Sequence, residues 1–392
     1  MNEHARCAEG SAFRLLVIAA ALAASVVAST PTLADQPEVP SFAKITVTGE
    51  EPRNGLFDPS IEYDNTGTGW LAYSRVTLPK HVETHLARSM DRGETWSFVS
   101  ALNRSTEQTV VINGVSQSGV WRYETPTLLY DPGDVPARRW KLFVQRYLAI
   151  PPFKRGDSLF ESGWIAQSTA PDPAGPWSEA KCLFGKDKDV CRVDLNSLHP
   201  DLEDFVFFNE LGSVMVGDAI YLSMDASPTS SGLGKWKHRK IVLLTSPDHG
   251  ATWKYVGVLT DYKDARQLGY RVLTGSSLVK ENDRLFLLVT PSGAKGLFRK
   301  NRAHDGTLVV EFEDIRRAKL QRDEDGKLRV LKSFKPNLHS GGLSDYDEKN
   351  TSGGILFSQI DLGTKPEFFK IFNTRQLIFQ PGTSVGAAAP RH

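Results

Sequence analysis

Three related segments decide the fold that this sequence encodes: SMDRGETW at 89–96, STAPDPAGPW at 168–177 and SPDHGATW at 246–253. The first and the third share the pattern Ser-x-Asp-x-Gly-x-x-Trp, and the second is a degenerate copy of it. Their first residues lie 79 and 78 positions apart. Repetition at so regular a spacing indicates an array of similar supersecondary units.

Each clear copy of the motif is predicted to form the tip of a β-hairpin. The aspartate accepts hydrogen bonds from backbone amides in an Asx-type turn, the glycine adopts a positive φ, and the tryptophan packs beneath the turn. The residues with these structural roles are Ser89, Asp91, Gly93 and Trp96 in the first copy and Ser246, Asp248, Gly250 and Trp253 in the third. Because short apolar strands precede each copy, each repeat supplies about four antiparallel strands.

Two further units without the motif follow, at 277–326 and 342–379, and the segment 43–47 also has strand character. Five sheets of about four strands each, arranged radially, predict an all-β, five-bladed β-propeller, and the segment 43–47 is expected to complete the last sheet. A two-sheet sandwich is the alternative, but a 78-residue repeat does not arise naturally from it. The propeller is expected to occupy residues 35–392 as a single domain.

The N-terminal residues 1–34 have the features of a cleavable signal peptide. Basic residues precede an apolar run at 15–27, and small residues lead to a plausible cleavage point after Ala34. The run is shorter than the roughly 20 residues of a spanning helix, so a membrane anchor is the less favoured alternative. We therefore expect a secreted or periplasmic protein. In such a compartment Cys182 and Cys191 are expected to form a local disulfide, with metal ligation as the alternative.

The charge balance excludes some classes of partner. The sequence contains 47 Lys and Arg against 46 Asp and Glu, which gives a formal net charge of +1. That balance lacks the basic field of a dedicated nucleic-acid-binding protein. No segment after the signal is long and apolar enough to span a membrane. A neutral or weakly charged partner fits this composition, and the oligomeric state is left open.

The repeated motif resembles the Asp-box, or BNR repeat, of sialidases and related propellers. The blade pattern as a whole resembles the five-bladed glycoside hydrolases of the arabinanase, xylosidase and β-fructosidase group. A six-bladed, sialidase-like propeller is the alternative architecture. The resemblance implies a carbohydrate substrate and hydrolysis of an O-glycosidic bond, for which two carboxyl groups must face each other across the sugar.

The resemblance also implies which carboxyl groups these are. Asp58, in the sequence FDPS at 57–60, is similar to the catalytic aspartate of that group and is the candidate base or nucleophile. Glu210, in ELGS at 210–213, is similar to its general acid, with the loop residues Glu203 and Asp204 as alternatives. A third carboxylate would fall at position 125, which is Thr125 here. The neighbouring Glu124 is the candidate for this modulating role, although on a regular strand it would face the other way.

Four further residues are candidates for substrate binding: Arg271, His339, Tyr123 and Trp121. A guanidinium suits a carboxylate or vicinal hydroxyls, and aromatic rings suit sugar rings. A sialidase-like exo-glycosidase would instead need an arginine cluster, for which Arg53, Arg122 and Arg271 are the candidates. The third hypothesis is a non-catalytic propeller that binds a glycan or a protein. No cofactor or metal is required, although a structural calcium ion near His339 is left open.

Overall fold

The computed structural model describes residues 42–112, 114–153, 158–185, 190–228, 236–293, 304–335, 340–361 and 365–379. Regular structure in these ranges is almost entirely β-strand, and their one α-helix, α1, covers Tyr262–Gln267. Short 3-10 helices lie at Pro136–Arg138, Leu195–Ser197, Pro200–Leu202, Trp236–His238 and Ile315–Arg317. None of the described helices combines the length and the apolar character that a membrane crossing requires.

After β1 (Ala43–Lys44) and β2 (Val47–Thr48), the strands form four hydrogen-bonded sheets. The nine-stranded sheet consists of two antiparallel units joined by the parallel pair Gly55–Phe369, so there are five antiparallel units, here called blades 1 to 5. Blade 1 contains, from the innermost strand outward, β3 (Gly55–Tyr63), β4 (Gly69–Thr77), β5 (His81–Ser89) and β6 (Trp96–Asn103). Blade 2 is preceded by β7 (Thr106–Ile112) and contains β8 (Val115–Tyr130), β9 (Trp140–Ala149), β10 (Ser158–Ala170) and β11 (Lys181–Gly185), with β12 (Val193–Asp194) at its outer edge. Blade 3 contains β13 (Phe207–Val216), β14 (Ala219–Ser227), β15 (Lys240–Ser246) and β16 (Lys254–Thr260).

Blade 4 contains β17 (Val272–Glu281), β18 (Arg284–Ser292) and β19 (Thr307–Asp314). Two short strands, β20 (Lys319–Leu320) and β21 (Val330–Phe334), share the outer edge of β19. Blade 5 contains β22 (Ser340–Asp345), β23 (Leu356–Ile360) and β24 (Phe369–Asn373), with β1 as its outermost strand.

The innermost strands of the five blades form a closed ring. Strand β3 packs against β8, β8 against β13, β13 against β17 and β17 against β22, and β22 returns to β3. Five four-stranded sheets arranged in this way around a centre form a five-bladed β-propeller, as the repeat predicted.

The N-terminal segment joins the two ends of the ring. Strand β1 pairs with β24 and so completes blade 5, which confirms the prediction for this segment. Strand β2 then pairs in parallel with β6 of blade 1, which the sequence did not indicate. One short segment therefore bridges the first and last blades, and it leaves fewer unpaired strand edges at the junction.

The two clear copies of the repeated motif adopt the same turn. The Ser89 hydroxyl donates to Asp91 Oδ1 at 2.7 Å and accepts from the Gly93 amide at 2.9 Å. The equivalent bonds from Ser246 measure 2.8 and 2.7 Å. Trp96 and Trp253 are both buried. In the degenerate copy the Ala174 amide donates to Asp172 Oδ1, and Trp177 Nε1 donates to the carbonyl of Pro173.

Each turn also contacts the preceding blade. In blade 1 the Gly93 carbonyl accepts from Asn373 Nδ2 of blade 5 at 3.0 Å, and a Cβ atom on Gly93 would lie 1.8 Å from Asn350 Oδ1. In blade 3, His249 Nδ1 lies 3.0 Å from Asp131 Oδ2 of blade 2. Asp131 is itself buried beside the ammonium of Lys141. The turns therefore hold neighbouring blades together at the rim.

A disulfide joins Cys182, at the outer edge of blade 2, to Cys191. The Arg192 amide donates to the Cys182 carbonyl, and β12 then pairs in parallel with β11. The bond therefore fastens the connection that leads from blade 2 to blade 3.

Candidate active site

The five innermost strands share one backbone feature, a residue in the left-handed region at the same position. These residues are Asp58, Thr125, Glu210, Gly275 and Leu343, with φ between 50° and 57°. At each of them the pairing with the second strand of the blade shifts register. Such a bulge re-aims a side chain, and here it directs five equivalent residues at one cavity of about 300 Å³ along the propeller axis. Asp58 and Glu210 therefore face a common space.

Asp58 is held by hydrogen bonds between blades. Its Oδ2 accepts from the Ser74 hydroxyl at 2.8 Å, and Ser74 Oγ accepts from the Thr125 amide at 3.1 Å. Its other oxygen, Oδ1, is buried and has no hydrogen-bond partner among the described residues. Burial raises the pKa of Asp58 well above its usual range, and the negative charges of Glu124 and Glu210 raise it further. A carboxyl group with these properties is a comparatively strong base once it is ionised.

Glu124 lies in β8 immediately before the bulge. Its Oε2 accepts from the Tyr147 hydroxyl at 2.9 Å, and burial raises its pKa. Strict alternation predicted that Glu124 would point away from Asp58. The bulge at Thr125 interrupts the alternation, and Glu124 does not line the cavity, although its charge raises the pKa of Asp58. Thr125 does occupy the position equivalent to Asp58, so the third carboxylate is absent from that position.

Glu210 belongs to a polar chain that crosses from blade 3 to blade 4. The Thr274 hydroxyl lies within hydrogen-bonding distance of Glu210 Oε2 and 2.5 Å from Asp225 Oδ2. Asp225 is fully buried, and Arg239 Nε donates to both of its oxygens at 2.8 and 2.7 Å. Burial raises the pKa of Asp225 to about 6, although Arg239 acts in the opposite direction. Asp225 is therefore mainly ionised at neutral pH.

The single hydroxyl proton of Thr274 limits how this residue can hydrogen-bond to the two carboxyl groups. A threonine hydroxyl carries one proton and can donate to only one carboxylate at a time. Thr274 can bond to both carboxyl groups only if one of them brings a proton of its own. Arg239 favours the ionised form of Asp225.

Sequence reasoning missed Asp225, Thr274 and Arg239 as parts of the site. They lie on three different strands or connections, and Asp225 meets Glu210 only through Thr274, which is 49 positions away from Asp225. The alternatives to Glu210 lie elsewhere, because Glu203 and Asp204 are exposed in the connection before β13 and do not line the cavity.

The predicted substrate-binding residues are only partly brought together. Tyr123 and Trp121 lie on β8 before the bulge, and both contact the guanidinium of Arg146 on β9. Arg271 is exposed at the start of blade 4 and does not line the cavity. His339 lies outside the described residues.

The arginine cluster that a sialidase-like site requires is not formed by the three candidates. Arg53 and Arg271 are exposed, and none of the three lines the cavity. Arg122 donates to the backbone carbonyls of Pro79 and Lys80, so it serves to hold a loop of blade 1. In the described ranges no group of three or more His, Cys, Asp and Glu side chains is arranged to hold a metal ion.

Comparison with known proteins adds information on the fold. No protein-family model matches the chain, and no curated protein matches it. Among solved structures, a glycoside hydrolase family 32 protein from Bifidobacterium adolescentis has a TM-score of 0.52 and 11% identity, with 84% of this chain and 56% of that chain covered. An arabinanase from Bacillus subtilis has a TM-score of 0.47 and 12% identity, with 84% and 96% covered. A Hadza microbial sialidase has a TM-score of 0.45 and 13% identity, with 79% and 53% covered. The chain therefore has the propeller fold that glycoside hydrolases use.

Proposed function

We propose that this protein is a glycoside hydrolase that cleaves an O-glycosidic bond at the mouth of a five-bladed propeller. The observation that carries the proposal is the placement of Asp58 and Glu210 at equivalent bulges, facing one cavity, in different hydrogen-bonding environments. Glycosidic hydrolysis needs such a pair, one carboxyl group as an acid and the other as a base or nucleophile. The similarity in fold to the family 32 protein is consistent with this chemistry.

In the proposed reaction Glu210 is the general acid. Its proton passes to the leaving-group oxygen as the bond from that oxygen to the anomeric carbon breaks. Ionised Asp58 either removes a proton from the water that attacks the anomeric carbon, or attacks that carbon itself and is later released by water. Glu124 has the modulating role, because its charge raises the pKa of Asp58.

Thr274, Asp225 and Arg239 keep Glu210 in its acidic form in this proposal. The Arg239 guanidinium holds Asp225 ionised, and Asp225 accepts the Thr274 proton, so the hydroxyl oxygen of Thr274 is left to accept from Glu210. Before each turnover, protonated Glu210 therefore has a hydrogen-bond acceptor within the protein. The chemistry as a whole uses side chains only and needs no cofactor.

We further propose that the protein acts outside the cytoplasm, on a carbohydrate that it meets after export. Two observations support this proposal: the signal-like composition of residues 1–34 and the disulfide between Cys182 and Cys191. Disulfides persist mainly in oxidising compartments.

A panel of aryl glycosides, assayed with a chain that begins at residue 35, tests the proposal. We expect release of the aryl group from at least one member, and we expect Asp58→Asn and Glu210→Gln each to reduce it by at least about a hundredfold. Glu203→Gln and Asp204→Asn make the same chemical changes at exposed carboxyl groups and should leave the rate unchanged. Binding of glycans without hydrolysis by the wild-type chain would instead favour the non-catalytic hypothesis.

A further inference from the structure

A second polar group lies in blade 2, around the part of β8 that precedes the bulge. The Arg146 guanidinium lies over the Trp121 ring, with Cζ 3.7 Å from the ring centroid, and over the Trp164 ring at 4.4 Å. The two indoles are 5.7 Å apart and tilted by 32°, so they form a continuous platform. Arg146 Nε donates to the Tyr123 hydroxyl at 3.1 Å. Three contacts thus fix the orientation of the guanidinium plane.

The charge of Arg146 has no counter-ion in the part of the chain that the structure describes. Among the described residues no carboxylate forms an ion pair with Arg146, and none accepts a hydrogen bond from its two Nη groups. Other arginines of the molecule, such as Arg239 and Arg284, pair with a carboxylate. Cation–π contacts stabilise a half-buried guanidinium in part, and its two Nη groups can still donate hydrogen bonds to a ligand.

The register of blade 2 places Arg146 opposite a residue two positions before the bulge of β8. Arg146 pairs with Tyr123 on one side and with Trp164 on the other. Tyr123 immediately precedes Glu124, and the bulge at Thr125 follows at once. Because a strand rises about 3.3 Å per residue, the distance along β8 from this pair to the bulge is less than about 7 Å. Arg146, Tyr123 and Trp164 do not line the cavity itself, so a sugar that reaches Arg146 must extend from the bulges along β8.

We infer that Arg146, with Trp121, Trp164 and Tyr123, forms a subsite for the carboxylate of an acidic sugar residue, such as a hexuronic acid. The two Nη groups lie in a plane that the indoles and Tyr123 hold in place, and such an edge binds a carboxylate through two parallel hydrogen bonds. The inference rests on the proposed function, and it specifies the substrate as an anionic carbohydrate rather than a neutral one.

The test measures binding rather than hydrolysis. Calorimetric titration of the Glu210→Gln protein would use two acidic probes, trigalacturonate and 4-nitrophenyl β-glucuronide. Their uncharged counterparts are the methyl ester of trigalacturonate and 4-nitrophenyl β-glucoside. We expect at least one acidic probe to bind about 10- to 100-fold more tightly than its counterpart, which is the effect of a charge-assisted hydrogen bond. The preference should weaken as salt is added.

Variants then assign the preference to Arg146. Arg146→Gln should abolish it, and Arg146→Lys, which keeps the charge but loses the planar fork, should retain part of it. Arg88→Gln makes the same charge change at an exposed position on β5 and should have no effect. Thermal unfolding of each variant checks that it is folded.

Two results would overturn the inference: absence of any preference for the acidic probes, or an equal change in Kd in the Arg146→Gln and Arg88→Gln proteins. Either result leaves the proposed hydrolysis intact if neutral glycosides are cleaved. Conversely, a preference for acidic probes in a protein that cleaves nothing would refute the hydrolase and leave the subsite standing.

Discussion

Replacing Thr274 with valine removes one hydroxyl from the proposed site and keeps nearly the same side-chain shape. In the proposed site this hydroxyl accepts a hydrogen bond from protonated Glu210 and donates its own proton to Asp225. The valine leaves the protonated carboxyl group of Glu210 without that acceptor. A hydrogen bond in a chain with a charged member is worth about 1.5–3 kcal/mol. Loss of a hydrogen bond of this free energy to protonated Glu210 corresponds to a decrease in kcat/KM of about 10- to 150-fold.

The assay is the dependence of kcat/KM on pH with an aryl glycoside that the wild-type protein cleaves. Because the valine destabilises the proton-bearing form of the acid, the alkaline limb of the profile should move to lower pH, and the acidic limb should remain in place. Thr260→Val is the matched control, since Thr260 is equally buried and its hydroxyl has no partner in the described ranges. A Thr274→Val profile that coincides with that of Thr260→Val would refute the proton chain.

The other predictions concern the base and the rim of the propeller. Asp58 must be ionised to act, and its pKa is raised by burial and by the charge of Glu124, so activity should be lost as the pH falls. The Glu124→Gln variant removes a negative charge and so lowers the pKa of Asp58. The acidic limb of the pH profile should therefore move to lower pH in this variant. Gly93 has a φ of 87°, and its Cβ would meet Asn350, so Gly93→Ala should destabilise the fold by about 2–5 kcal/mol in thermal or denaturant unfolding. Gly67 has a φ of 84° with open space around it, so Gly67→Ala should lower the free energy of unfolding only through backbone strain. Equal decreases for the two variants would show that the contact between blades contributes nothing.

The sequence was sufficient for the architecture because the repeat is a local signal. The turns at 89–96 and 246–253 contain their own hydrogen-bonding groups, so their spacing indicated the length of one blade, whereas the last two blades were predicted from their strand patterns alone. The N-terminal segment was predicted only in part, since the parallel pairing of β2 with β6 follows from the geometry of ring closure and has no pattern of its own.

The site was predicted less completely, for two physical reasons. Positive φ values at Thr125 and Glu210 belong to residues that do not usually adopt them, so no sequence pattern indicated the bulges. The chain from Glu210 through Thr274 to Asp225 joins separate blades, and no local spacing encodes such contacts.

The most direct measurement of the central claim compares two leaving groups in two variants. On a 2,4-dinitrophenyl glycoside the leaving group needs no proton, whereas on an alkyl glycoside it does. The account predicts that Glu210→Gln keeps most of the wild-type rate on the dinitrophenyl substrate and loses at least about a hundredfold on the alkyl substrate, while Asp58→Asn loses activity on both. Equal loss on both substrates for Glu210→Gln, or wild-type rates for Asp58→Asn, would contradict the assignment of acid and base.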